Sequence, residues 1–255
     1  MVTLPSRLLA SALQLYIWAS VWTQVTCNPV PDAPLPQRYG FVAFRAFEPL
    51  DLFGPLQVLA MLAKLHRVDV SIIAESMDLV TAQPLMAAMN PTNSSVYPRI
   101  APTHTFANAP SDLEVLIIPG GLGTRSPYAT ELVQFVKDTY PRLRHLITVC
   151  TGATFAAKAG LLDGRRATTN KNLWAETTAP WAGTVRWVPR ARWVEDGNVW
   201  TSSGISAGID ATLGFVAKVY GRANATRVAN LMEYEWHKDP DWDPFSDIFD
   251  VPGRD

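Results

Sequence analysis

The run "LITVCTGATFAAKAGLL", Leu146 to Leu162, sets a thiol, Cys150, between β-branched apolar residues and small residues with helical spacing. A cysteine at such a junction stands on a sharp strand-to-helix turn, the device that exposes nucleophiles in hydrolase elbows. The free amides and positive dipole end of the following helix are expected to favour thiolate, the reactive form. Gly152 and Ala153 leave the turn uncrowded. The competing reading is a buried structural cysteine, and the strand-Cys-Thr-Gly-helix order favours the nucleophile. Asp51, in "LDLFGP", and the pair Gly120-Gly121, in "LIIPGG", follow other apolar runs in the same way. Taken alone, an aspartate before a helix is an N-cap, and a glycine pair closing a strand is a tight turn.

The elements that must position these groups read as alternating strands and helices. "YGFVAF", "VDVSIIAES", "LEVLIIPGG" and "RHLITV" are strand runs. "LDLFGPLQVLAMLAKL", led in by Gly54-Pro55, "YATELVQFVKDTY" and "TGATFAAKAGLL" carry helical spacing. "TVRWVPRARWVEDGNVWTSSG" reads as a hairpin turning at Asp196-Gly197-Asn198, followed by helices "ISAGIDATLGFVAKVYG" and "ATRVANLMEYEW". The alternation predicts an α/β sandwich of flavodoxin type, a mostly parallel sheet with helices on both faces. Ligands collect beyond the carboxyl ends of such strands. Asp51, Gly120-Gly121 and Cys150 all fall at that edge.

The chain has 255 residues and is 48% apolar, enough for a large core without covalent staples. Its 22 Lys and Arg against 23 Asp and Glu leave no basic block, which argues against a nucleic-acid partner. Arg7 followed by the apolar stretch to Val25-Thr26-Cys27 predicts a signal peptide over residues 1–27, with an uncleaved anchor or amphipathic arm as the competing reading. A secretory destination follows if the leader is cleaved, with no stable membrane association afterwards, and a cytoplasmic one otherwise. Cleavage after Cys27 leaves Cys150 as the sole thiol, so a disulfide framework is excluded. A Pro-rich spacer (28–38), a main domain (39–237) and an acidic, Pro-broken tail (238–255) complete the chain. The tail is expected to run as an extended arm on the surface or across a partner subunit. The sequons at Asn93 and Asn224 are compatible with secretion and common by chance.

"VCTGATFAAKAGLLDGRRATT", "LDLFGPLQVL", "LIIPGG" and "TSSGISAGIDATLGFVA" together resemble the ThiJ/PfpI superfamily, from about Tyr39 to Trp236. The resemblance implies a class I glutamine amidotransferase-like fold and a homodimer. Within that superfamily the motifs are most similar to isonitrile hydratases and to the sensor domains of some AraC-type regulators. It makes Cys150 the nucleophile, Thr151 its support, and Asp51 the carboxylate that points at the thiol and serves as general acid or base. It also makes Gly120, Gly121 and Asn170 substrate or oxyanion residues, the glycine turn acting together with the amide of Thr151. Many relatives carry histidine where Asn170 stands, and the protease-like branch has histidine where Thr151 stands. His66, His104, His145 and His237 match no such motif and read as surface or packing residues. Proteolysis and glutamine hydrolysis, which need an imidazole proton shuttle, are thereby disfavoured.

A Cys-Asp site suits hydration of an isonitrile to an N-substituted formamide through a thioimidate, provided that Asp51 has a raised pKa. No cofactor is called for, and no cluster has metal-ligand spacing. The rivals are a non-catalytic sensor domain and a redox-stress cysteine protein that handles reactive aldehydes. Trp174, Trp181, Trp187, Trp193 and Trp200 either line an apolar substrate pocket or belong to the core, the commoner fate of aromatic residues at strand alternation.

Overall fold

The computed structural model describes residues 34–127 and 129–253. The expected leader and most of the Pro-rich spacer lie outside them, and Leu35–Asp255 forms one compact unit. Seven strands make the main sheet: β1 (Arg38–Val42), β2 (Asp69–Ala74), β3 (His104–Thr105), β4 (Val115–Ile118), β5 (His145–Thr148), β6 (Trp193–Asp196) and β7 (Val199–Ser202). Their order is β6-β7-β5-β4-β1-β2-β3, and all neighbours are parallel except the β6–β7 hairpin. The expected α/β sandwich with a mostly parallel sheet is the observed fold.

The central strand β4 is apolar throughout because both its faces are covered. Val115 and Ile117 of β4 pack with Phe41 and Ile147 under α1 (Pro49–Leu62), α5 (Ala207–Val219) and α6 (Arg222–Leu231). Leu116 and Ile118 pack on the other face under α2 (Thr130–Thr139) and α3 (Ala153–Lys158). All four β4 side chains are fully buried, each contributing on the order of 2 kcal/mol.

Several boundaries differ from the sequence reading. Helix α1 starts at Pro49, with Pro in its first turn, and Pro55 lies inside it rather than leading it in. Proline suits a first turn because its fixed φ is already helical. The elbow segment forms one 3-10 turn, Cys150–Gly152, and a six-residue α3 in place of a long helix. The hairpin starts at Trp193, because Arg186–Trp187 pairs with Arg166–Ala167 instead. After α4 (Trp174–Thr178) and the later helices, the tail is not an extended arm. It forms α7 (Phe245–Ile248), buries Val251 and accepts the Arg192 N–H on the Pro240 carbonyl at 2.7 Å. Asn93 is exposed in a turn, whereas Asn224 sits in α6 with its amide donating to the Tyr220 carbonyl at 2.7 Å. No helix among the described residues is long and apolar enough to cross a membrane.

Candidate active site

Adjacent parallel strands bring three loops together. β1 feeds the turn before α1, β4 ends in Pro119-Gly120-Gly121, and β5 ends in Val149-Cys150. Asp51 is in the first turn of α1, fully buried, so it is not the N-cap; Glu48 holds that position without a side-chain cap. The Asp51 carboxylate instead reaches across the sheet edge, where Oδ2 accepts the Gly120 N–H at 2.9 Å. The Gly121 N–H donates to Thr151 Oγ1 at 3.0 Å. Asn170 Nδ2 donates to Cys150 Sγ at 3.1 Å, and Thr169 Oγ1 donates to the Cys150 carbonyl at 2.9 Å.

Cys150 has a left-handed backbone, φ 57°. A non-glycine residue there stores on the order of 1–3 kcal/mol, which the surroundings must hold. They do so through Cys150 N–H to the Ser203 carbonyl at 3.2 Å and through the Thr169 hydroxyl. Gly120 makes the close approach feasible. A Cβ there would lie 2.6 Å from Thr151 N and Oγ1 and 2.9 Å from Asp51 Oδ2.

The electrostatics revise one expectation. The Cys150 thiol is pushed up, first by burial and then by the Asp51 charge, although the Thr151 N–H, Asn170 and the Ile205 N–H act to lower it. A single 3-10 turn and a six-residue helix supply a weak dipole, so the low-pKa thiolate expected from the elbow is not the resting state. Asp51 behaves as the chemistry requires. Burial pushes it up to about 7, with Glu48 adding to the rise and the Gly120 N–H opposing it. Asp51 Oδ1 is sealed from solvent and accepts no hydrogen bond, which leaves it available to a proton. The resting pair is therefore a thiol beside a carboxyl group that titrates near neutrality.

The structure brings Cys150, Asp51, Thr151, Gly120, Gly121 and Asn170 into one site. Both glycine amides, however, are already engaged by Asp51 and Thr151, so the oxyanion position is not free as it stands. Sequence reasoning missed Thr169 and the Ile205 amide. Thr169 adjoins Asn170 in "ATTN", which was the available signal, while the Ile205 donor is backbone and left none. The histidines are engaged elsewhere: His66 against Tyr220, His145 against Phe215, His104 with Thr103, and His237 stacked on Trp242. Trp193 and Trp200 are core residues, whereas Trp181 lines a cavity of about 180 Å³ beside Thr151, with Leu173, Pro180 and Thr154. A larger cavity of about 420 Å³ is walled by Phe44, Phe106 and Phe155, and none of the six site residues lines it. Side-chain geometry, not cavity size, therefore marks the candidate site.

Residues 38–218 match the model of the DJ-1/PfpI family. The chain belongs to the DJ-1/PfpI family. It is 35% identical over 199 residues to an isonitrile hydratase of Pseudomonas putida, covering 77% of this chain and 78% of that one. It is 30% identical over 138 residues to the HTH-type transcriptional regulator GbdR of Pseudomonas aeruginosa, covering 54% of this chain and 36% of the regulator. A ThiJ/PfpI family protein structure from Pseudomonas syringae superposes with a TM-score of 0.65 at 26% identity, over 86% of this chain and 85% of that one. As in the sequence reading, this DJ-1/PfpI chain is thus similar both to an enzyme and to a regulator. The match ends at residue 218, so the segment that carries α7 lies beyond it.

Proposed function

We propose that this protein is an isonitrile hydratase-like lyase that converts an isonitrile and water to an N-substituted formamide. The observation that carries the reading is the buried Cys150–Asp51 pair, in which the carboxyl group titrates at about 7 and Asn170, not histidine, contacts the thiol. The 35% identity to the Pseudomonas putida isonitrile hydratase supports it.

The isonitrile carbon receives the Cys150 sulfur and a proton at the same atom. The thiol proton passes to Asp51, and Asp51 delivers a proton to carbon, which gives the thioimidate R–N=CH–S–Cys150. Water then adds to that carbon. Asp51 takes one water proton and passes it to nitrogen, leaving R–NH–CH(OH)–S–Cys150. Breaking the C–S bond releases R–NHCHO, and the hydroxyl proton returns to sulfur. One isonitrile and one water are consumed, one formamide is formed, and thiol and carboxyl are regenerated.

Purified protein with a reduced thiol is expected to form formamide from aryl and alkyl isonitriles, and Cys150→Ala and Asp51→Asn to abolish it. A general acid-base group contributes on the order of a hundred- to ten-thousand-fold, so the Asp51 variant should lose at least that much. Absence of formamide from every compound in such a panel overturns the reading. A sensor role is the second reading, favoured by the engaged amides and the match to GbdR, and under it Cys150→Ala retains function. The homodimer implied by the family resemblance is part of the same proposal.

A further inference from the structure

The mechanism makes no use of a buried cation beside the site, Lys171. Lys171 follows Asn170, and its ammonium is sealed from solvent, with its side chain 1% exposed. Nζ donates to Thr168 Oγ1 at 2.7 Å, the Ala191 carbonyl at 2.9 Å and the Thr169 carbonyl at 3.2 Å. Its counter-ion is Asp243 Oδ2 at 3.4 Å, itself unexposed. The ammonium therefore ties together the loop 168–171 from behind. From the front of the same loop, Thr169 holds the Cys150 carbonyl and Asn170 holds the thiol.

Asp243 comes from the C-terminal segment, outside the residues that match the family model. That segment is fixed independently. Ser246 Oγ donates to the Pro189 carbonyl at 2.6 Å, Arg190 pairs with Asp247 at 2.8 Å, and the Phe245 N–H donates to Asp243 Oδ1 at 3.1 Å.

We propose that Lys171, held by Asp243 of the C-terminal segment, is a positioning residue for the nucleophile: it anchors the loop from which Asn170 donates to the Cys150 sulfur and Thr169 to the Cys150 carbonyl. The proposal rests on Cys150 as nucleophile and not on the identity of the substrate. A buried charge is costly to desolvate, and an apolar side chain of similar volume would fill the space without that cost. The loop that the lysine anchors is the one that carries the Asn170 donor to the thiol.

The titratable or charged groups around Lys171 are Asp243, Arg192 with its partner Asp210, and Cys150. Burial pulls the lysine down to about 8, and Asp243 opposes that fall. At pH 7 the ammonium is thus charged. Burial and Asp51 dominate the thiol's rise, and among the groups that oppose it is the Asn170 donor carried by the loop that Lys171 anchors.

The test is the pH dependence of iodoacetamide alkylation, read by mass spectrometry on the peptide that contains Cys150. Wild type is compared with Lys171→Met, Asp243→Asn and the double variant Lys171→Met/Asp243→Leu, with thermal unfolding in parallel. Both lysine variants should raise the inflection, by up to the shift that Asn170→Ala gives, because the Asn170 donor to sulfur is no longer held in place. Asp243→Asn, which releases the lysine from the C-terminal segment, should move the inflection the same way. The double variant removes both buried charges and should recover the melting temperature that a single variant loses, while its thiol stays slow. A merely structural pair would return both together. A folded double variant with the wild-type inflection and rate overturns the proposal. If the variants shift the inflection but wild type makes no formamide, the hydratase reading falls and this one stands.

Discussion

Replacing Asp51 by asparagine should make the protein more stable while abolishing its chemistry, and the gain should depend on pH. Asp51 is fully buried, and burial moves its carboxyl from 3.8 to about 7. The native state therefore binds more protons than the unfolded chain between about pH 4 and 7, so stability falls as pH rises through that window. Below it, both states hold a protonated carboxyl and the penalty vanishes. Above it the penalty is complete, about 4 kcal/mol at roughly 1.4 kcal/mol per pH unit. Asparagine has no charge to bury and keeps an oxygen for the Gly120 N–H. Relative to wild type, Asp51→Asn should gain little at pH 4 and at most about 4 kcal/mol at pH 8. At roughly 2–4 °C per kcal/mol for a chain of this size, the melting temperature should rise on the order of 10 °C. Urea unfolding of both proteins at several pH values between 4 and 8 measures the difference. An offset that is constant across that range, or a gain at pH 4 that disappears at pH 8, refutes the assignment of the buried charge to Asp51.

Two further outcomes follow from the same geometry. Alkylation of Cys150 in the unliganded protein should inflect above the free-cysteine value of about 8.5, and Asn170→Ala should raise it further by removing a donor to sulfur; an inflection below 8.5 would restore the elbow dipole as the dominant influence. Gly120→Ala should cut formamide formation more severely than it lowers stability, because its Cβ meets Thr151 N and Oγ1 at 2.6 Å and must displace the turn that orients Asp51; unchanged turnover would mean that the glycine is only a turn residue.

What could be read from the sequence and what could not divide along physical lines. The central strands were legible because β4 is covered on both faces, so its whole run is apolar and needs no alternation. The hairpin was legible because Gly197, at φ 62°, serves a turn that favours glycine. The start of α1 was missed because Pro55 resembles a helix beginning, whereas Pro49 provides it and Pro55 is tolerated inside. The reactive side chains were legible as types: thiol, carboxylate and glycine turns at strand ends. Their protonation was not, since a local dipole can be read from neighbours in sequence, while desolvation is set by everything packed around the group. Cys150 rises for that reason, and Asp51 rises with it. Lys171 and Asp243 were illegible for a related reason. Each alone looks like a surface charge, in "TNKN" and in an acidic tail, and only the docking of the C-terminal segment removes both from water. A pair far apart in sequence, buried together behind a nucleophile, is information that the fold creates. The candidate site residues can thus be named from motifs, whereas their protonation and the buried pair behind them follow from packing.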